Sequence, residues 1–410
     1  MKVAFLIEYF PPYAIGGSEW STYYLAQQLS KQNIDVVVIT PDYGNKKLNE
    51  KVDFKIVKFP FYKKIQNSSL PGNFFYTNPL WIIWTALAFL YFVQRERVDV
   101  IHVQGKYSLP GARLANLFLR KPIIVTLRDY QPLCNYGFCL YHKNKACNLK
   151  HYFTHDFKTY YKEYVLNKSE FKLVLNILFA VWGRLAKTML AISAKGTHIV
   201  VLSKYQKEVY EANGFLNTEV IGNSIVLPKH ATISRDNTIL YIGRLTPGKG
   251  IELLISALPR IAKMLPNYQF LFIGEGFLKE KLQVLSKKNS RIKLLGQVGH
   301  EGAIQALRKA KLTIIPSVWP EPFGRVAAES LMCKTPLVVT NRGALPELVN
   351  KRWGVISDAT PEAFCMAVKK GIDKNDDYKK NIQSDYTELK KSFTNSTPDK
   401  YQKLYKEITG

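Results

Sequence analysis

Short apolar runs alternate with longer amphipathic segments along the chain, and this order predicts an α/β protein. Short runs rich in Val, Ile, Leu and Phe are typical of strands buried on both faces of a parallel sheet. The predicted strands are Lys2–Ile7, Val36–Ile39, Phe54–Phe59, Val98–Val103, Ile123–Leu127, His198–Leu202, Thr238–Ile242, Gln269–Ile273, Ile292–Leu294, Leu312–Ile315 and Leu337–Val339. Apolar residues at helical spacing predict helices at Trp20–Ser30, Ala112–Phe118, Ile251–Met264, Leu278–Lys288, Ala303–Lys309 and Val326–Met332.

The strand–helix pattern occurs twice, so we expect two Rossmann-like, doubly wound domains. A length of 410 residues allows two or three domains, each with its own core. Ile225–Asn237 contains Pro228 and has little periodicity, which is typical of a linker. The expected division is an N-terminal domain at 1–222, a linker at 223–236, a C-terminal domain at 237–390, and a C-terminal helix at 391–410 that packs back on the N-terminal domain.

Two strongly apolar stretches are candidates for contact with a membrane. Pro79–Val93 is apolar over about 15 residues, fewer than the roughly 20 that a spanning helix needs, and Leu173–Trp182 is shorter. We therefore expect helices that are buried in a core or lie at a membrane surface. Near the N-terminus, Glu8 and Pro11 interrupt the first apolar run, which predicts a strand rather than a signal peptide.

The composition, 47% hydrophobic and 22% charged, is that of a globular protein. Five scattered cysteines do not make a disulfide framework, so we expect a reducing cytoplasm. The cysteine spacing differs from the paired C-x2-C of zinc sites, which favours ordinary reduced cysteines over structural zinc. The group considered for zinc is Cys134, Cys139, Cys147, His142, His151 and His155.

The net charge of +26 is spread over both halves of the chain. Residues 1–222 contain 28 Lys and Arg against 15 Asp and Glu, and the remainder contains 30 against 17, so each half carries +13. Such an excess favours polyanionic partners: an anionic lipid surface, a diphosphate-bearing substrate or nucleic acid. A solvated basic surface is the simpler alternative. Because no nucleic-acid recognition motif is present, we do not expect nucleic acid as a partner.

Two carboxylates stand eight residues apart after a strand of the second half. Glu321 falls in a Pro- and Gly-rich loop, and Glu329 lies two turns into the following helix. The backbone amides of Phe323, Gly324 and Arg325 are expected to be free at the helix start, where they favour an anion or a polar ligand. In an open α/β sheet, the carboxyl ends of the strands are where ligands bind.

Glycine-rich turns follow the first strand of each half. Gly16 and Gly17 precede a helix for which Ser18 is a candidate N-cap, an arrangement suited to phosphate. In the second half Arg244 and Lys249 flank a glycine-punctuated loop, so that both cations can reach one anionic group. Taken alone, a Gly-Gly turn is more often only a turn, and Arg244 and Lys249 are equally compatible with two solvated cations near a turn.

Together these segments resemble family 4 of retaining glycosyltransferases. Glu321 and Glu329 match the family's glutamate-x7-glutamate signature, and Gly243 to Gly250 is similar to its G-R-L-x-x-x-K-G segment. Gly274-Glu275-Gly276 resembles the family's Gly-acidic-Gly turn, and Leu295-Gly296-Gln297-Val298 resembles the following strand end. The resemblance implies the GT-B fold, an α/β architecture of two Rossmann-like doubly wound domains facing each other across a cleft.

The resemblance also implies roles for the matched residues. Arg244 and Lys249 would neutralise the leaving nucleoside diphosphate. Glu321 would lie against the donor sugar, and Glu329 would accept hydrogen bonds from the ribose hydroxyls. No enzymic nucleophile is needed. The positive pair makes a metal unnecessary and nothing resembles a DxD metal motif, so the resemblance implies no metal and no other cofactor. The other residues expected on the donor side are Gly16, Gly17, Gly243, Glu275, Phe323, Gly324 and Arg325.

The chain departs from the family pattern at Arg128-Asp129, where relatives usually carry His-Asp. Arg128, counted here as catalytic, holds a permanent charge that would suit an anionic sugar or an acceptor phosphate, or else weaken activity. Asp129 and His102 are expected on the acceptor side, with a purely structural role as the alternative for His102. Asn223-Ser224 replaces the usual Asn-Gly, which affects only a turn.

We therefore expect a cytoplasmic, retaining glycosyltransferase that moves a sugar from a UDP- or GDP-sugar to a glycan or lipid-linked acceptor, such as a polyprenyl-linked glycan, in polysaccharide or glycolipid synthesis. The basic charge, the helix with Trp81 and Trp84, and the stretch Tyr152–Tyr164 indicate peripheral attachment to an anionic membrane. The alternative is a non-catalytic scaffold that binds nucleotide sugars, which Arg128 would support.

Overall fold

The computed structural model describes residues 1–14, 16–44, 46, 48, 52–61, 75–134, 148–156, 173–228 and 235–410. Within these ranges the chain forms two compact units. The first comprises residues 1–202, 206–221 and 398–410, and the second comprises residues 203–205 and 222–397. Each unit is built on one parallel sheet.

The first unit has a seven-stranded sheet in the order β3-β2-β1-β4-β5-β6-β7. Its central strands are buried on both faces because they consist almost entirely of Val, Ile, Leu and Phe. Val3 of the first strand lies between Val36 and Val100. The strands are β1 (Lys2–Leu6), β2 (Asp35–Asp42), β3 (Lys55–Pro60), β4 (Val100–Val103), β5 (Ile123–Leu127), β6 (His198–Val201) and β7 (Thr218–Val220).

The helices of the first half connect these strands. They are α1 (Gly17–Lys31), α2 (Pro79–Arg95), α3 (Leu109–Leu119), α4 (Leu149–His151), α5 (Leu173–Lys195) and α6 (Lys204–Glu211). The α1 start corrects the cap predicted at Ser18: Gly16 is the N-cap, and its amide donates to the Glu19 carboxylate at 2.9 Å. The Glu19 carboxylate thus accepts a hydrogen bond from a backbone amide that would otherwise have no partner at the helix start.

The second unit has a six-stranded sheet in the order β10-β9-β8-β11-β12-β13. Its strands are β8 (Thr238–Ile242), β9 (Gln269–Ile273), β10 (Ile292–Gly296), β11 (Leu312–Ile315), β12 (Leu337–Thr340) and β13 (Gly354–Ser357). Its helices are α7 (Ile251–Met264), α8 (Lys279–Lys288), α9 (His300–Lys309), α10 (Arg325–Met332), α11 (Leu345–Leu348), α12 (Pro361–Asp373), α13 (Asn375–Ser384) and α14 (Tyr386–Lys390).

The last helix, α15 (Ser396–Thr409), places residues 398–410 in the first unit. Its Tyr401, Leu404 and Tyr405 are buried in the same apolar cluster as Val3 and Phe5. The chain therefore ends by completing the core that its first strand begins.

Each sheet has a point at which the strand order reverses: between β1 and β4 in the first, and between β8 and β11 in the second. Connections leave the two neighbouring strands in opposite directions there, which opens a crevice at the carboxyl edge. The residues expected to carry the chemistry follow these strands.

Several sequence predictions concern metal and membrane sites. Across the described ranges, no group of three or more potential metal ligands occurs, and no helix is both long enough and apolar enough to cross a bilayer. Cys134 is buried, whereas Cys139, Cys147 and His142 lie outside the described residues. The described part of the aromatic stretch Tyr152–Tyr164 ends at Asp156, and residues 229–234 of the linker also lie outside.

Candidate active site

The loops that follow β8 and β11 meet at the carboxyl edge of the second sheet. The carbonyl oxygen of Gly248 accepts hydrogen bonds from the amides of Val318 and Trp319, both at 3.1 Å. Gly250 has φ of +75°, and a Cβ atom there would lie 1.8 Å from the carbonyl oxygen of Pro316. Glycine is required here because both its backbone conformation and the close approach exclude a side chain.

Glu321 is held by three donors within this pair of loops. Its Oε1 atom accepts from Lys249 Nζ at 2.6 Å, from Ser317 Oγ at 2.6 Å and from Trp319 Nε1 at 2.9 Å. Lys249 Nζ also lies 4.7 Å from the centre of the Trp319 ring, within cation–π range. Burial by itself raises the pKa of Glu321, but the Lys249 charge and the hydrogen bonds outweigh it and hold that pKa below its usual value.

Glu329 is buried two turns further on, in α10. Its Oε1 atom accepts from Arg325 Nε at 2.7 Å and lies 3.2 Å from His300 Nε2 at the start of α9. Burial raises the pKa of Glu329, yet the charge of Arg325 and the contact with His300 lower it overall. Both signature glutamates are thus ionised acceptors at neutral pH.

Backbone hydrogen bonds join the glycine-containing turns at the ends of β8, β9 and β10 along the same edge of the sheet. The amide of Gly243 donates to Ile273 at 3.0 Å, and that of Gly274 donates to Gly296 at 2.8 Å. A Cβ atom on Gly274 would lie 1.9 Å from the Gly243 carbonyl oxygen, so the two turns approach as closely as glycine permits. Glu275 is exposed and pairs with Lys279 at 2.8 Å.

The other predicted donor-side residues of this unit occupy the same edge. Arg244 is exposed, and its carbonyl oxygen accepts from the Tyr241 hydroxyl at 2.8 Å. Phe323 is buried, and Gly324, with φ of +86°, is the N-cap of α10. Arg325 is turned towards Glu329, so in this structure its guanidinium positions that carboxylate.

The first unit places Arg128 and Asp129 at the carboxyl end of β5. Arg128 Nη2 donates to Gln104 Oε1 at 2.5 Å and lies 3.5 Å from Thr22 Oγ1 in α1. The Asp129 carboxylate pairs with Lys106. Gly16 and Gly17 at the start of α1 are exposed. These residues, like those of the second unit, surround the point where the strand order reverses.

For His102 the geometry favours the structural alternative over a place on the acceptor side. Its side chain is fully buried, with Nδ1 at 2.6 Å from the Tyr405 hydroxyl and Nε2 at 2.8 Å from Thr126 Oγ1. Burial, together with the charge of Arg128, lowers the pKa of His102 well below its usual value. The imidazole ring is therefore neutral, and its hydrogen bond with Tyr405 connects α15 to the sheet.

The structure adds residues that sequence reasoning did not single out. Ser317, Trp319 and His300 each contact a signature glutamate. Ser317 and Trp319 lie within a few residues of Glu321, so their proximity in sequence was the available signal. His300 follows β10, and this position at the ligand edge of the sheet could have marked it in the sequence as a candidate site residue.

Glu8, at the end of β1, is a further buried carboxyl that the sequence did not indicate as functional. It accepts from Ser108 Oγ at 3.1 Å and from the Tyr107 amide at 3.4 Å. Burial dominates and raises the pKa of Glu8 to about 7. The raised pKa makes the contribution of Glu8 to the free energy of unfolding depend on pH.

Both halves of the chain match known family models. Residues 226–387 match the model described as glycosyl transferases group 1, and residues 15–227 match that of glycosyltransferase family 4. Over 391 residues the chain is 24% identical to a human subunit of phosphatidylinositol N-acetylglucosaminyltransferase, in an alignment that covers 90% of this chain and 68% of that protein.

Solved structures match the whole chain. Sucrose-phosphate synthase from Thermosynechococcus elongatus has a TM-score of 0.72 at 15% identity, covering 100% of this chain and 99% of that one. HepE from Anabaena, solved with UDP and glucose, has a TM-score of 0.66 at 18% identity, with coverage of 100% and 99%. At such identities the likeness shows the fold, which is GT-B.

Proposed function

The chain belongs to glycosyltransferase family 4, and we propose that it transfers a sugar, with retention of configuration and without a metal, from a UDP- or GDP-sugar to a glycan or lipid-linked acceptor. Solved neighbours that carry UDP support a nucleotide-sugar donor. A lipid-linked acceptor on the cytoplasmic face of a membrane is supported by the charge of +26 and by the phosphatidylinositol named in the human relative.

The observation that carries the proposal is the pairing of Lys249 with Glu321 between loops that follow two different strands. Arg244 lies on the same edge. A dianionic diphosphate would engage Lys249 and Arg244, which stabilise the charge that develops as it leaves. Glu321 would then orient the sugar hydroxyls, and Glu329 the ribose.

In the proposed reaction, the bond between the sugar C1 and the diphosphate oxygen breaks while the acceptor oxygen bonds to C1 on the same face. The acceptor proton passes to the departing diphosphate oxygen, so atoms and charge balance without an enzymic nucleophile. Arg128 remains a proposed catalytic residue, and Asp129 remains the proposed acceptor-side residue of the first unit. The product would become part of a cell-surface polysaccharide or a glycolipid.

A panel of UDP- and GDP-sugars, assayed for hydrolysis and for thermal shift, tests the proposal. We expect one nucleotide sugar to stand out, and Lys249→Ala to lower its kcat/KM by about 10²-fold or more. Lys281→Ala, which removes an exposed lysine paired with Glu252, is the matched control and should leave kcat/KM unchanged. Binding without turnover would favour a non-catalytic scaffold, and no response to any donor would overturn the proposal.

A further inference from the structure

Four helices of the first unit lie on one face of its sheet. The connections β3 to β4, β4 to β5, β5 to β6 and β6 to β7 all cross the sheet in the same direction, whereas the connection from β1 to β2 crosses in the other. Because such crossovers are right-handed, α2, α3, α5 and the short, polar α6 lie on one face, and α1 lies on the opposite face. A Cβ atom on Gly111 of α3 would lie 2.2 Å from Thr85 Oγ1 of α2, so these two helices are in close contact.

The outward surface of α2, α3 and α5 is apolar. In α2 the residues Leu80, Ile83, Leu87 and Tyr91 recur every three to four positions and form one stripe, and each is more than half exposed. A helix on the surface of a soluble protein normally presents polar residues there. Among the side chains that the structure describes, further exposed large apolar residues of these three helices are Trp84 in α2, Leu114, Leu117 and Phe118 in α3, and Val181, Leu185 and Ile192 in α5.

The same helices carry no carboxylate. In their 17, 11 and 23 residues there is no Asp or Glu, although the frequency in the whole chain, 32 in 410, would give about four. Since α2 and α3 run parallel, their carboxyl ends place exposed cations side by side: Arg95, Arg97, Arg120 and Lys121. Two carboxylates lie nearby. Glu96 is buried between Lys2 and Lys55, and Asp99 is exposed and accepts from the Lys2 amide at 2.8 Å, so the four cations remain in excess.

We propose that the outward surface of α2, α3 and α5, which we call the helical face, docks on an anionic phospholipid bilayer. An apolar surface with cations and without carboxylates matches the acyl boundary and the negative headgroups of such a bilayer. Trp84 and Tyr91 have the amphipathic rings that favour this depth. A second copy of the chain is a poor match, since two faces of the same positive charge would oppose each other.

This inference deepens the proposed function and rests on the part of it that places the acceptor in a membrane. The face lies on the first unit, and the donor residues Lys249 and Glu321 lie in the second. Membrane docking and donor turnover can therefore be measured separately, so that failure of one is distinguishable from failure of the other.

Cosedimentation of the full chain with vesicles tests the inference. We expect binding to phosphatidylglycerol–phosphatidylcholine vesicles at physiological salt, weaker binding to pure phosphatidylcholine, and a loss of roughly tenfold or more in Leu87→Glu/Phe118→Glu. Leu216→Glu is the matched control, because Leu216 is 74% exposed in the same unit but lies outside the three helices. Donor hydrolysis in solution should be equal in all three proteins.

Two results would overturn the inference. One is wild-type protein that does not bind the anionic vesicles, or that binds them no better than the double variant does. The other is a wild-type dimer in light scattering that the double substitution dissociates, because the helical face would then belong to a second copy. If the wild-type protein binds the anionic vesicles as expected but hydrolyses no nucleotide sugar, the docking inference stands and the proposed activity is rejected.

Discussion

At the scale of single residues, the candidate site depends on how one carboxylate is held. Glu321 receives hydrogen bonds from a lysine, a serine and an indole at the same oxygen atom. Its second oxygen, Oε2, is not among these contacts, so in the proposed complex Oε2 would accept from the donor sugar. The three hydrogen-bond donors thus fix the orientation of the Glu321 carboxylate before a substrate binds.

Replacing Trp319 by Phe should lower kcat/KM for the nucleotide sugar by about tenfold, because the ring is kept while one hydrogen bond to an ionised group is lost. Steady-state kinetics measure the effect. Trp353→Phe is the matched control: its indole donates to the Asp385 carboxylate at 2.7 Å, away from the signature glutamates. Equal rates in both variants would contradict a positioning role for Trp319.

Replacing Glu8 by Gln should change how the stability of the protein depends on pH. The pKa of Glu8 is about 7 in the folded state against 4.5 ordinarily, so its contribution is complete below pH 4.5 and is lost as the pH rises to 7. A Gln stays neutral at all pH values. The free energy of unfolding of Glu8→Gln relative to wild type should therefore rise by up to about 3 kcal/mol between pH 5 and pH 8.

Urea unfolding at the two pH values measures this difference, and a constant offset between the proteins does not affect it. Glu211→Gln, at an exposed carboxylate of the same unit, serves as the control and should show no such change. A Glu8→Gln difference that stays constant with pH would contradict the raised pKa of the Glu8 carboxyl.

At the scale of elements, the sequence predicted those strands whose apolar runs end sharply. β8, β9, β11 and α7 have the predicted bounds, because polar residues, Gly or Pro flank them. β7 and β13 were not predicted: one has only three residues, with Glu219 in the middle, and the other has four, with glycine at its start. Contacts such as Trp319 with Glu321 were also unpredictable, since rotamers and loop packing decide them.

Arg291 caps the C-terminal end of α7 by donating hydrogen bonds to backbone carbonyl oxygens. Arg291 donates to the carbonyl oxygens of Ala262, Leu265 and Pro266, which lie at or just beyond the helix terminus, and more weakly to that of Tyr268 at 3.3 Å. The last turn of a helix leaves carbonyl groups without partners, and a guanidinium can satisfy several of them at once.

We therefore expect Arg291→Ala to lower the free energy of unfolding by about 2–4 kcal/mol, because several buried or half-buried acceptors lose their donor. Arg291→Lys should be intermediate, since an ammonium cannot span the same carbonyls. Urea unfolding checks both values. Arg260→Ala, at an exposed position of the same helix, should stay within about 0.5 kcal/mol of wild type, and a similar loss there would contradict the capping role.

At the scale of the whole molecule, the chain's two ends belong to one core. Burying Tyr401, Leu404 and Tyr405 of α15 contributes about 1.5–3 kcal/mol for each side chain, a sum comparable to the stability of a domain. Tyr405 also satisfies the buried ring of His102. The C-terminal helix is therefore part of the first unit's folding, although almost the whole second unit separates it in sequence.

Removing residues 398–410 should accelerate amide hydrogen exchange in β1, β4 and β5 and leave β8 and β11 unchanged, because α15 completes the core of the first unit alone. Exchange followed by mass spectrometry resolves the two sheets. Tyr405→Phe offers a milder version that should still fold: it keeps the ring, removes the hydroxyl from His102, and should cost about 1 kcal/mol. Faster exchange spread equally over both sheets would show instead that α15 stabilises the two units together.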